Sequence, residues 1–383
     1  MQPKKLFLSS AVLFVSVTLL LVGFVGASSE MWTQTYGGTA DDYAEAMVQT
    51  SDGGYALAGY TTSFGAGSYD FWLVKTDEYG NVEWNQTYGG EDIDHAYALV
   101  ETSDGGYVIA GGSLLVKTDM YGNMEWNQTY GGVSLVETSS GGYVIAGTKN
   151  DDFSLVKIDT SGKMEWNRTY GGPEVERAYS LVETSDGGFA LAGEKIVNFD
   201  CDGVPIPAWR FWLVKTDEMG NMLWNHTYGN LNSVARSLVR TSDGGYALAG
   251  TMSSFNPAIG IIGGPLLVKT DEYGNMEWNQ TFSGWQAFAV VEASDGGYAI
   301  AGAGSMVKTD KYGNMEWNQT VGGVVNSLLA TSDGGYALAG ALNGDFWLAK
   351  ADEHGVIPEF PSLIILPLFL VGTLVAIILK KKT

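Results

Sequence analysis

The chain has 383 residues, 43 of them acidic and 21 basic, for a formal net charge of −22. That balance excludes nucleic acid as a partner, because phosphate binding needs Lys and Arg to displace counterions. A single Cys and three His exclude a disulfide framework and a multi-His metal centre, while 52 Gly, 20 Tyr and 12 Trp favour many short strands joined by turns.

Residues 1–27 read as a secretory signal peptide: Lys4 and Lys5, an apolar run from Leu6, then Val25-Gly26-Ala27 ahead of Ser28. Self-similarity governs residues 28–356. Ser-Asp-Gly-Gly-Tyr recurs with Asp at 52, 104, 186, 243, 295 and 333, with Ser140 replacing Asp once and Phe189 replacing Tyr once. A second unit, Leu-Val-Lys-Thr-Asp-x-x-Gly-Asn, has Asp at 77, 119, 159, 217, 271, 310 and 352. A third, Trp-Asn-Gln-Thr-Tyr-Gly-Gly, follows it with Trp at 84, 126, 166, 224, 278 and 317. Its missing seventh copy stands at the N-terminus, beginning at Trp32.

Each repeat holds four runs with strand character, in the first Glu45–Thr50, Tyr55–Tyr60, Phe71–Thr76 and Val82–Tyr88. Four antiparallel strands, seven times over, predict an all-β, seven-bladed β-propeller. The Trp32 segment is expected to complete the last blade beside Phe346–Ala351, closing the ring with strands from both ends. Small residues six positions before each turn (Ala46, Ala98, Ser134, Ser180, Ser237, Ala289, Ser327) fit inner strands crowding at an axis. The Ala-Gly pairs of the second strands predict close backbone approach between blades.

The first repeat, Trp32–Trp84, with its Tyr-Gly-Gly, Asp-Tyr-Ala, Asp-Gly-Gly-Tyr and Asp-Phe-Trp-Leu-Val-Lys-Thr-Asp elements, resembles the SBBP-type seven-bladed propeller repeats of secreted prokaryotic proteins. The resemblance implies the fold; that class has no single activity to carry over.

Variable loops on a rigid scaffold are where binding is expected. Two insertions stand out, Glu194–Arg210, with Trp209 and Arg210 as contact candidates, and Thr251–Pro265, with Phe255. Asn198, Asp200 and Asp202, followed by Gly203, form the first half of a calcium loop, but Trp209 occupies the position that needs a bidentate Glu. Asp42, Asp94 and Glu176 precede the first strands at matching positions and are expected to line the axial opening. Six Asn-x-Thr sequons, at Asn85, Asn127, Asn167, Asn225, Asn279 and Asn318, predict glycosylation along the outermost strands. No catalytic constellation or cofactor-binding motif stands out. Ser154…Lys157 and Ser305…Lys308 match Ser-x-x-Lys only as strand variants with Ser and Lys on opposite faces.

Residues 357–362 read as a Pro-containing linker. Residues 363–383 predict a transmembrane anchor, an apolar run to Leu379 followed by the basic tip Lys380-Lys381-Lys382 on the cytoplasmic side. Pro358-Glu359-Phe360-Pro361-Ser362 with that span resembles the PEF-type C-terminal sorting signals of archaeal surface proteins. The resemblance implies a product tied to the outer face of the membrane by a helix or a lipid. The sequence therefore points to a surface-anchored, non-enzymatic adhesion or recognition propeller for extracellular protein or polysaccharide. The alternatives are a polysaccharide-active enzyme using rim carboxylates, or an architectural coat component.

Overall fold

The computed structural model describes residues 31–357 except 202–203, 230–231, 257–259 and 284, and no side chains within 199–206 and 254–262. Residues 1–27, read above as the signal, 358–362 of the linker, and 363–383, read as the anchor, lie outside the described residues.

Strand β1 is Trp32–Tyr36. The first blade contains β2 (Asp42–Gln49), β3 (Tyr55–Thr61), β4 (Asp70–Thr76) and β5 (Val82–Tyr88). The second contains β6 (Ala96–Glu101), β7 (Tyr107–Gly111), β8 (Leu115–Thr118) and β9 (Met124–Gln128). The third contains β10 (Ser134–Glu137), β11 (Tyr143–Lys149), β12 (Asp152–Ile158) and β13 (Met164–Tyr170). The fourth contains β14 (Glu176–Glu183), β15 (Phe189–Cys201), β16 (Val204–Thr216) and β17 (Met222–Tyr228). The fifth contains β18 (Ser233–Arg240), β19 (Tyr246–Asn256), β20 (Gly260–Thr270) and β21 (Met276–Thr281). The last elements are β22 (Ala287–Glu292), β23 (Tyr298–Thr309), β24 (Met315–Ala330), β25 (Tyr336–Leu342) and β26 (Asp345–Ala351).

These strands form six sheets, not the seven separate blades expected from the repeats: five of four strands, and one of six in the order β1-β26-β25-β24-β23-β22. The sixth and seventh repeats share that last sheet because β24 runs unbroken from Met315 to Ala330, serving as the outer strand of one and the inner strand of the other. Val324 is then paired on both sides, with Ala303 of β23 and Ala341 of β25. β23 doubles back through Gly304 (φ 76°), so that the Thr309 hydroxyl donates to Tyr298 O at 3.4 Å. The segment expected to form a transmembrane helix, 363–383, lies outside the described residues. Among the described residues no helix is long and apolar enough to cross a membrane.

β1 pairs antiparallel with β26, Trp32 opposite Lys350 and Tyr36 opposite Phe346, and Trp347 Nε1 donates to Thr33 Oγ1 at 2.8 Å. The N-terminal segment thus completes the sheet that holds the last strand.

Every repeat meets the next through one recurring contact. The outer-strand Trp packs against the turn aromatic of the following repeat: Trp32 with Tyr55 (5.9 Å), Trp84 with Tyr107 (5.8 Å), and so on to Trp317 with Tyr336 (6.0 Å). The same indole covers the Gly of the next Asp-x-x-Gly turn, as Trp32 covers Gly80 and Trp224 covers Gly274. Only Gly fits there, since it combines a positive φ (78° at Gly80) with the absence of a Cβ beneath the ring. Where the outer strand ends in Tyr, its hydroxyl donates to that Gly carbonyl, as Tyr88 does to Gly122 at 2.7 Å.

The Asp-Gly-Gly and Asp-x-x-Gly-Asn repeats are structural. Asp77 accepts from the N–H groups of Tyr79 and Asn81 and from Asn81 Nδ2 at 2.8–2.9 Å, closing the turn. Buried Lys75 bridges Asp52 and Glu83, each at 2.8 Å. Partial burial acts to raise the Asp52 carboxyl, but hydrogen bonds from Lys75, Thr50 and Gly54 prevail and hold it at about 2. The third repeat departs from this pattern. With Ser140 in place of Asp, Lys157 bonds to Thr138 Oγ1 and Gly141 O, and burial pulls its ammonium below the usual lysine range.

Deleting Met31–Gly38 removes β1, the Trp32 contact and the Trp347 bond together. Thermal melting is expected to fall by roughly ten degrees or more; an unchanged melting curve contradicts closure by β1.

Candidate functional site

The innermost strands carry the feature that repeat patterning alone does not reveal. In six repeats the register of the first two strands slips at one residue, so β2 pairs through Ala44 and Ala46 but not Glu45. The same slip falls at Tyr97, Tyr179, Arg236, Phe288 and Asn326. In the third repeat Val133 holds the matching place, just before β10. A bulge inserts one residue and re-aims its side chain. All seven of these side chains line a central channel of about 680 Å³.

The second-strand Gly makes the bulge possible. A Cβ on Gly59 would strike Tyr43 O, and one on Gly250 would strike Val234 O. The Ala-Gly pairs therefore relieve crowding against the bulged strand of their own blade, and at Gly111 and Gly193 a Cβ would also strike Phe71 and Phe153 of the preceding blade. The small residue after each bulge has a further role in three repeats. Ser134, Ser180 and Ser237 accept the N–H of Leu181, Leu238 and Val290 at 3.0–3.2 Å, tying each inner strand to the next. Asn326 Nδ2 donates to Ala44 O at 3.0 Å across the ring closure.

Two charges stand in the channel on separate repeats. Burial alone raises the Glu45 carboxyl to about 7. Arg236 lays its guanidinium over the Tyr179 ring at 4.3 Å. Tyr179 donates to Glu194 at 3.0 Å, and Glu194 also accepts from Arg177 at 3.1 Å. Arg177 in turn sits 5.0 Å from the Trp209 ring centroid, which brings Trp209 into the network.

The carboxylates expected at the axial rim lie elsewhere. Asp42 is fully buried and accepts from Gly38 N (2.9 Å), Ser63 Oγ (2.8 Å) and Thr61 Oγ1, fastening two loops together. Asp94 accepts from Gly90 N at 3.1 Å. Glu176 is fully buried beside Lys195 Nζ at 2.9 Å, an ion pair without hydrogen-bond geometry. None of the three lines the central channel.

The two insertions, expected as loops, are β-hairpin arms. β15 and β16 stay paired from Phe189–Thr216 out to Cys201–Val204, and β19 and β20 out to Asn256–Gly260. Pro205 and Pro207 hide that strand from propensity reasoning. Asn198, at the head of the proposed calcium loop, faces Pro207 in this ladder and donates to Glu174 at 2.8 Å. The side chains of Asp200, Asp202 and Phe255 lie outside the described residues. Arg210 sits opposite Lys195 in the same arm. All six sequon Asn are exposed on outer strands; Asn85 and Asn225 also accept the indole N–H of Trp72 and Trp212.

No protein-family model matches the chain, and no curated protein matches it. Solved structures do. The WD40 β-propeller domain of Doa1 is 12% identical with a TM-score of 0.57, covering 84% of this chain and 97% of that one. The Neurospora crassa Pan2 WD40 domain is 12% identical with a TM-score of 0.59, covering 85% and 96%. Sqt1 from Chaetomium thermophilum is 10% identical with a TM-score of 0.54, covering 84% and 100%. The chain folds as a β-propeller. At such identities the likeness extends to the fold alone.

Glu45 titrates near 7 in the fold against 4.5 for an unperturbed Glu. A raised carboxyl means the native state holds its proton more tightly, so stability falls as pH rises through that window and stays lower above it. Glu45→Gln is expected to raise the melting temperature by several degrees at pH 8 and to change it little at pH 4. No gain at pH 8 in a thermal series contradicts the desolvation of Glu45.

Proposed function

We propose that this chain is a non-enzymatic recognition propeller that holds its partner, a surface protein or polysaccharide, at the mouth of the central channel. The observation that carries this reading is the division of the inner strand. Its small residue is Ala or Ser in every repeat, while the residue just before it is Glu, Tyr, Val, Tyr, Arg, Phe or Asn. A packing role would favour one residue type at seven equivalent places; a bespoke surface needs different ones.

The terminal sequences support an exported protein displayed at the cell surface and tethered through its C-terminal segment, with glycans on the outer-strand Asn. The enzyme alternative loses support, because Asp42 and Glu176 are committed to internal bonds.

Retention of the full chain on surface polysaccharide and surface-protein fractions, scored together with release of reducing ends, tests the proposal. Retention without release is expected, weakened about tenfold or more by the double change Tyr97→Ala and Arg236→Ala. Release of reducing ends, or retention indifferent to that change, contradicts it.

A further inference from the structure

Glu45 differs from the carboxylates around it. The Asp-Gly-Gly aspartates engage lysines or turn N–H groups, and Asp42 is saturated by Gly38, Thr61 and Ser63. Glu45 has no hydrogen-bond or ion-pair partner among the described residues, yet its bulge aims it into the channel. No cation of the protein offsets its burial. Arg236, the channel's own cation, leans on Tyr179 in the fourth repeat.

Tyr97 lines the channel with Glu45 and stands at the end of a wall of rings from the first two repeats. Tyr60 is stacked between Tyr43 (5.3 Å, 16°) and His95 (4.3 Å, 14°). Tyr69 closes edge-on at 5.2 Å from Tyr60, and Tyr97 stands 6.0 Å from His95. Tyr97 is 37% exposed, so one end of the wall opens to solvent. Burial, then the charge of Glu45, raises the Tyr97 hydroxyl; burial, Tyr43 and then Glu45 raise that of Tyr60, to about 12. Burial also holds His95 below its usual range against the pull of Asp94, so the wall carries no positive charge near neutral pH.

A lone carboxylate against neutral aromatic rings complements a cation. Ring faces and phenol oxygens attract positive charge, and the carboxylate accepts a charge-assisted hydrogen bond. An overall charge of −22 steers basic groups toward such a site. We propose that Glu45, with Tyr97 beside it in the channel lining, forms a receptor for the ammonium or guanidinium group of a basic partner segment. The inference rests on the channel-mouth reading above and names its chemistry.

The test is titration of the full chain with an acetylated tetralysine amide, comparing Glu45→Gln with Glu218→Gln. The second variant removes the same charge from an exposed Glu in an outer turn. Glu45→Gln is expected to weaken tetralysine binding by about tenfold, and Glu218→Gln by less than about twofold. Tyr97→Ala is expected to weaken it as well. Melting curves at the titration pH show that each variant is folded. Equal weakening by the two Gln variants means diffuse attraction to an acidic protein and overturns the proposal, as does no weakening by either. If surface-polymer retention still depends on Tyr97 and Arg236 in that case, the recognition reading stands and the cation receptor alone falls.

Discussion

One contact organises this protein: the indole of each repeat lying over the turn Gly and against the turn aromatic of the next. It occurs between all seven repeats, although hydrogen bonding divides them into six sheets. Each ring pair contributes on the order of 0.5–1.5 kcal/mol beyond simple burial. Because the Trp lies on an outer strand and its partners on the following repeat, the last repeat needs a Trp from elsewhere to reach the first. Trp32 supplies it, and β1 pairs with β26 so that the ring closes with both ends of the chain. The same constraint accounts for the sequence: Trp, Gly and Tyr persist where linkers and arms vary.

With the outer region fixed by those contacts, the inner strands are free to deviate. Glycine on the second strand clears space for a bulge on the first, and in six repeats the bulge turns one side chain toward the channel, Val133 taking that place in the third. Constant residues build the ring and seven variable ones furnish its opening. The charged turns are kept apart from that opening. Their lysine–aspartate pairs secure hairpins, and in the third repeat Lys157 shows what happens when the aspartate is replaced by Ser140.

Much of this was legible in the sequence because it repeats. Trp32 standing ahead of the first complete unit predicted a strand added to the last one, and the small residues at 46, 98 and 134 predicted crowding at the axis. The blade count was not legible, since the merging of two repeats depends on Val324 pairing with both Ala303 and Ala341. Asp42 and Glu176 read as a rim because their partners, Thr61 and Lys195, are distant in sequence. The channel ring was missed for a different reason. Glu45 and its counterparts sit in an ordinary-looking strand, where alternation gives no sign of a bulge. A signal was nonetheless present: a position changing from Glu to Tyr to Arg beside an unchanging Ala or Ser.

The most direct measurement of the central contact compares Gly274→Ala with Gly244→Ala in thermal unfolding. Both glycines belong to the fifth repeat and have similar φ, 80° and 92°, so alanine meets the same backbone penalty of about 1 kcal/mol at each. A Cβ on Gly244 meets nothing within 4 Å, whereas one on Gly274 lies 2.6 Å from the Trp224 ring and 2.6 Å from His226 on the same outer strand. The stacked contact predicts that Gly274→Ala costs about 1–3 kcal/mol more than Gly244→Ala. Equal losses would contradict the claim that tryptophan over glycine holds the ring together.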